Sequence, residues 1–135
     1  MPAFGGALRQ VTAAVIIEDG LLFLARRGPG EKLPGFWELP GGKIEPGETP
    51  QECLQRELAE ELDMLATAGE VLAQTVYRYD HGEFEMLALA VERKSAYALS
   101  VHDACEWLSR EQLSEVQLAP ADVELLQALR AQGVW

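Results

Sequence analysis

The chain has 135 residues, which suits one domain around one core. Its 11 Lys and Arg face 22 Asp and Glu, a formal net charge of −11, which excludes a protein that reads a nucleic-acid backbone through a basic face. A small anionic ligand is not excluded, because a bound divalent cation inverts the local field. The first apolar run, Val11–Ile17, is too short to span a bilayer, is stopped by Glu18 and Asp19, and does not read as a signal peptide. Cys53 and Cys105 have no metal-type spacing and read as reduced packing residues of a cytoplasmic protein.

In chain order, Val11–Glu18 and Leu21–Ala25 flank Asp19-Gly20 and predict a hairpin. Arg26–Leu33, with Gly28, Pro29 and Gly30, predicts a loop. Phe36–Leu39 predicts a short strand entering the Pro40-Gly41-Gly42 turn. Thr49–Met64 predicts a helix: Thr49 and Glu52 fit a capping box, Pro50 falls at the first helical position, and Leu54, Leu58 and Leu62 make one apolar stripe. Val71–Tyr79 and Glu83–Val91 predict a second hairpin across Asp80-His81-Gly82. Tyr97–Trp107 ends in a strand, and Pro120–Gln132 reads as a closing helix with Val123, Leu126 and Leu129 at helical spacing and Gly133 as its stop. The expected class is α+β.

The chemistry concentrates in Gly41–Met64, GGKIEPGETPQECLQRELAEELDM. On the expected helix Glu57 lies three residues from Glu60 and four from Glu61, so three like charges share one face. Two readings stand. Either this is a solvated acidic face whose repulsion Arg56 softens, or it is a cage for a divalent cation. Carboxylates and turn carbonyls are hard oxygen donors, suited to Mg²⁺ or Mn²⁺ rather than zinc.

The same segment resembles the Nudix box, G-x5-E-x7-R-E-U-x-E-E-x-G-U, where U is a bulky apolar residue. Gly42, Glu48, Arg56, Glu57, Leu58, Glu60, Glu61 and Met64 fit it. Asp63 stands where the family has glycine, and Asp tolerates the left-handed helix end that this glycine supplies. The resemblance implies that residues 1–135 form a single Nudix domain, an α/β/α sandwich with a mixed central sheet and a catalytic helix following a Gly-Gly loop. It implies that Glu57, Glu60, Glu61 and the Gly41 carbonyl hold Mg²⁺ or Mn²⁺, that Arg56 orients Glu57, and that Glu48 acts behind them. Lys43 either contacts a phosphate or is a solvated loop lysine.

The runs RRGPGEKLPGFWELPGGKIEPGET and LAPADVELLQAL are similar to the MutT-like branch, which splits nucleoside triphosphates into monophosphate and pyrophosphate. By that similarity Arg27 and Asp122 face the base and Leu39 lines its pocket. As ordinary residues, Arg27 is a charge at a strand end and Asp122 an acid in a first helical turn. Phe36, Trp37, Tyr77, Tyr79 and Phe84 read mainly as packing residues able to stack on a base. Valine at 101 takes the position of a further glutamate of the branch, so Asp103 or a glutamate of the Glu83–Glu85 hairpin is expected to replace it, with His102 structural. The leading activity is metal-dependent hydrolysis of a nucleoside triphosphate, with 8-oxo-dGTP as the foremost substrate and CTP or dCTP as its rival. A nucleoside diphosphate linked to another group comes next, and an inactive nucleotide-binding module is the alternative from another class. The expected partner is a small nucleotide, with no nucleic-acid polymer and no membrane, for a monomer or homodimer.

Overall fold

The computed structural model describes residues 8–135. Strand β1 (Arg9–Val15) pairs in parallel with a later strand, Gly82–Arg93, which pairs antiparallel with Ala66–Tyr79. A second sheet is built on Leu21–Arg27. That strand is flanked by Ile17–Glu18, by Trp37–Glu38 and by His102–Leu108, all antiparallel. In chain order the strands are β1, β2 (Ile17–Glu18), β3 (Leu21–Arg27), β4 (Trp37–Glu38), β5 (Ala66–Tyr79), β6 (Gly82–Arg93) and β7 (His102–Leu108). Helix α1 covers Pro50–Leu62 and α2 covers Pro120–Ala131, with a short 3₁₀ turn at Gln112–Glu115. One parallel and one antiparallel pairing around β6 make its sheet mixed.

Period-two alternation assigns the two faces. Ala13, Val15, Leu22, Leu24, Met86 and Ala88 turn toward α2 and its Leu125, Leu126 and Leu129. Ala14, Ile16, Phe23, Leu87 and Leu89 turn toward α1 and its Leu54, Leu58 and Leu62. The result is an α/β/α sandwich with an apolar layer on each face of the strands.

Several boundaries differ from the sequence reading. The first strand breaks at Ile16, because Arg9–Val15 pairs with β6 while Ile17–Glu18 turns to β3 across Asp19 and Gly20, whose φ values are 53° and 79°. Arg26 and Arg27 belong to β3 rather than to a loop, since β4 and β7 supply partners on both sides. β5 starts at Ala66, five residues before the expected Val71; register shifts from Ala68 to Ala73 break the alternation that marks a strand. In α2 the buried face is Asp122, Leu125, Leu126 and Leu129, and Val123 is 38% exposed.

α1 forms as its sequence dictates. Thr49 accepts from the Glu52 amide at 3.0 Å while the Glu52 carboxylate accepts from the Thr49 amide at 2.9 Å. At the other end Asp63 takes the left-handed conformation, φ 49° and ψ 38°, where the family pattern has glycine. Two non-strand segments then set the site. Pro40–Ile44 lies along the free edge of β1, with Ala14 N donating to Pro40 O, Thr12 N to Gly42 O and Ile44 N to Gln10 O. Trp37 bonds through its amide to Gln117 O and through its carbonyl to Ala119 N, which docks the start of α2 beside β4.

Candidate active site

The Gly41-Gly42 turn has no room for side chains. A Cβ on Gly41 would collide with the Thr12 carbonyl, and one on Gly42 with the Glu57 carboxylate. Alternate carbonyls of this extended segment point in opposite directions. Those of Pro40 and Gly42 are taken up by β1, while that of Gly41 accepts no hydrogen bond among the described residues. The turn therefore presents a bare backbone oxygen on the side away from β1.

Arg56 organises the acidic groups. Its Nε donates to Glu48 at 2.6 Å, Nη1 to Glu57 at 2.8 Å and to Glu60 at 3.2 Å, and Nη2 to Glu48 and to the Lys43 carbonyl. The guanidinium and the Glu45 amide hold the Glu48 carboxyl down to about 2. Glu48 is thus a permanent anion that fixes Arg56, and Arg56 fixes Glu57. Glu60 is largely exposed, touched only at its i−4 neighbour.

Glu61 is different. Burial, and then the Glu57 carboxylate beside it, push its pKa up to about 9. Glu38 and Glu31 add repulsion. Two adjoining carboxylates of this kind are stable with a shared proton or with a cation between them. Oxygen donors beside a free backbone carbonyl fit a hard divalent ion. As placed, Glu57 and Glu60 lean on Arg56, and no three acidic, His or Cys side chains converge on one point among the described residues.

Of the residues expected at the base, Leu39 and Asp122 meet on the α2 side of the strands, while Arg27 pairs with Glu38. Asp122 Oδ1 accepts from the Leu39 amide at 3.0 Å, in a setting only 3% exposed. Burial raises its pKa to about 7, helped by Glu38 and opposed by the Leu39 amide and Arg27. Arg27 Nε bonds Glu38 at 2.9 Å, and its Nη1 bonds the Lys32 carbonyl. Lys43 is exposed. Of the candidate replacements at the fourth carboxylate, Asp103 pairs with Arg26 at 2.7 Å, Glu83 with Arg78 at 2.9 Å, and Glu85 accepts from Gln10 at 2.8 Å.

One residue escaped the sequence reading. Glu38 accepts from Arg27 and meets His102 Nε2 at 2.8 Å, and its charge reaches both Glu61 and Asp122. Alternation in Trp37-Glu38-Leu39 was a signal for it: a carboxylate between two residues of the α2-side core must face the α1 side.

Comparison with known proteins places the chain in a family. The NUDIX domain family model matches residues 8–129. The CTP pyrophosphohydrolase of Escherichia coli strain K12 is 37% identical over 123 residues, 90% of this chain and 91% of that protein. A putative 8-oxo-dGTP diphosphatase 2 of Mycobacterium tuberculosis strain H37Rv is 32% identical over 116 residues, 83% of this chain and 81% of its own. Among solved structures, the E. coli ORF135 protein superposes with a TM-score of 0.84 at 36% identity, covering 97% of this chain and 94% of that one. The chain belongs to the Nudix family. It is a hydrolase of the pyrophosphohydrolase kind, which acts on pyrophosphate-containing small nucleotides and generally uses divalent metal ions. Among the described residues no helix is long and apolar enough to cross a membrane.

Proposed function

We propose that the chain, as one Nudix domain over residues 1–135, hydrolyses a nucleoside triphosphate to monophosphate and pyrophosphate. One relationship carries the reading: Asp122 is bonded to Leu39, two residues before the free carbonyl of Gly41. The carboxyl assigned here to the base is thus tied by one hydrogen bond to the segment that carries the turn assigned to the phosphates, which supports one ligand reaching both.

Glu57, Glu60, Glu61 and the Gly41 carbonyl would hold Mg²⁺ or Mn²⁺, which supplies charge neutralisation on the phosphates and a more acidic water. The chain's own groups do the rest. Glu48 and Arg56 fix the Glu57 carboxylate, so little reorganisation is needed as charge develops. Water adds to a phosphorus, the anhydride P–O bond breaks, pyrophosphate leaves, and a glutamate of the set takes the water's proton. The exposure of Lys43 beside the turn supports a phosphate contact for it.

For the base, likeness over 90% of this chain to a CTP pyrophosphohydrolase supports a cytidine nucleotide. The second reading, 8-oxo-dGTP, is supported by the likeness to a putative 8-oxo-dGTP diphosphatase and by Asp122, whose raised pKa offers a donor as well as an acceptor near neutral pH. A panel of canonical and oxidised nucleotides ranked by kcat/KM with Mg²⁺ tests both. No pyrophosphate release from any triphosphate would refute the reading and leave an inactive binding module. Absence of CxxC spacing and the unpaired state of Cys53 and Cys105 support a reducing, cytoplasmic setting.

A further inference from the structure

Two buried side-chain polar atoms lack a partner among the described residues: Nδ1 of His102 and Oγ1 of Thr75. His102 still uses its other ring nitrogen on Glu38. The Thr75 hydroxyl has nothing. A buried hydroxyl costs its desolvation unless something bonds it, so its surroundings matter.

Thr75 stands opposite Met86, which in turn stands opposite Val11. Directly paired residues of a sheet share a face. Met86 belongs to the core beneath α2, together with Leu39, Ala73 and Leu125. The row on one side of Thr75 is Ala13, Ala88 and Ala73, small and buried. The row on the other side carries Phe84 and Tyr77, half-buried, with ring centroids 5.7 Å apart. The hydroxyl therefore lies between a row of small buried residues and an aromatic pair, on the sheet face toward the helix that carries Asp122.

We propose that Thr75 is a specificity-determining residue for the nucleobase, its unpaired hydroxyl being a polar contact on the sheet face that packs against the helix carrying Asp122. The inference rests on the nucleotide reading above. A threonine hydroxyl both donates and accepts, so it can pair with an amino or an oxo substituent on the base edge. A base without a group at that point leaves the hydroxyl buried and unpaired and is discriminated against. Tyr77 and Phe84 provide apolar rings beside it.

Thr75→Val keeps the side-chain shape and removes the hydroxyl; Thr75→Ser keeps the hydroxyl. The measurements are Tm without nucleotide and kcat/KM over the nucleotide panel. For Thr75→Val the expected result is a Tm equal to or above that of wild type, with the ratio of best to poor nucleotide falling about tenfold through KM. Thr75→Ser should keep the wild-type ratio. If Thr75→Val folds poorly, Thr75→Cys makes the same comparison, because a thiol is a weak hydrogen-bonding group. A wild-type selectivity ratio in the valine and cysteine variants overturns the assignment of Thr75 and leaves the nucleotide reading standing. A wild-type enzyme that hydrolyses no triphosphate overturns both.

Discussion

The Glu57 carboxylate lies against the Cα of Gly42, in the volume that a Cβ would occupy. The contact joins the turn to the acidic face of α1 with no other side chain between them. Gly42→Ala needs no unusual backbone angle, since Gly42 is not among the positive-φ glycines. It must instead push Glu57 aside or deform the turn. The expected outcome is a kcat reduced by more than about tenfold with a Tm shift of a few degrees. Steady-state kinetics and thermal melts on one preparation check it.

Activity should require Mg²⁺ or Mn²⁺, vanish in excess chelator and return on adding metal. Glu57→Gln and Glu61→Gln should each lose orders of magnitude in kcat while the fold persists. Glu61→Gln should also raise the Tm of the metal-free protein, because it removes a half-buried carboxyl that Glu57 opposes. Near-normal turnover in either variant would remove that residue from the catalytic set.

Arg56 spans Glu48 and Glu57 with a planar, many-donor head that lysine cannot reproduce. Arg56→Lys should therefore lower kcat at least tenfold with a smaller change in KM. Arg56→Ala should in addition destabilise the fold by about 1–3 kcal/mol, as unpaired carboxylates are left half-buried. Chemical denaturation separates the two effects.

The difference in pH-dependent stability between wild type and Asp122→Asn isolates Asp122, because the raised Glu61 carboxyl contributes to both profiles. The pKa of Asp122 is about 7 in the folded protein against a reference value of 3.8, so the fold prefers the protonated form. Stability from this group is fully present below about pH 4 and is lost as pH rises toward 7. Asp122→Asn should flatten the Tm profile over that window and gain relative to wild type above it. The size is on the order of a few kcal/mol. A profile parallel to wild type would show that Asp122 stays ionised.

Asp122→Ala tests its role in selectivity. If Asp122 reads the base, kcat/KM for the best nucleotide falls much more than for poor ones, a loss of about 1–3 kcal/mol of discrimination. If it only supports the start of α2, the Tm falls and the ratios stay constant. Leu58→Ala is the control for simple core damage: full burial predicts a loss of about 2–5 kcal/mol with selectivity unchanged.

Local physics was legible before folding. The helix of Thr49–Met64 was readable because its determinants lie within a turn of each other: the Thr49–Glu52 box, Pro50, the four-residue leucine stripe and an Asp able to go left-handed. The hairpin at Asp19-Gly20 was readable for the same reason. The spacing of Arg56, Glu57, Glu60 and Glu61 depends only on helical period, so a common acidic face followed from the chain alone.

Tertiary structure decided everything that depends on pairing across distance. Arg26 and Arg27 are strand residues only because β4 and β7 flank them. The bulged start of β5 hides from alternation because pairing with β6, not pattern, makes it a strand. No sequence rule sets Glu38 between Arg27 and His102, 64 residues further along the chain. Asp122 and Leu39 are separated by 83 residues, yet one hydrogen bond makes them neighbours. Charge could be read from the sequence; desolvation could not, because burial is a property of what packs around a group. That is why the same carboxyl chemistry gives an acid held at about 2 in Glu48, about 7 in Asp122 and about 9 in Glu61.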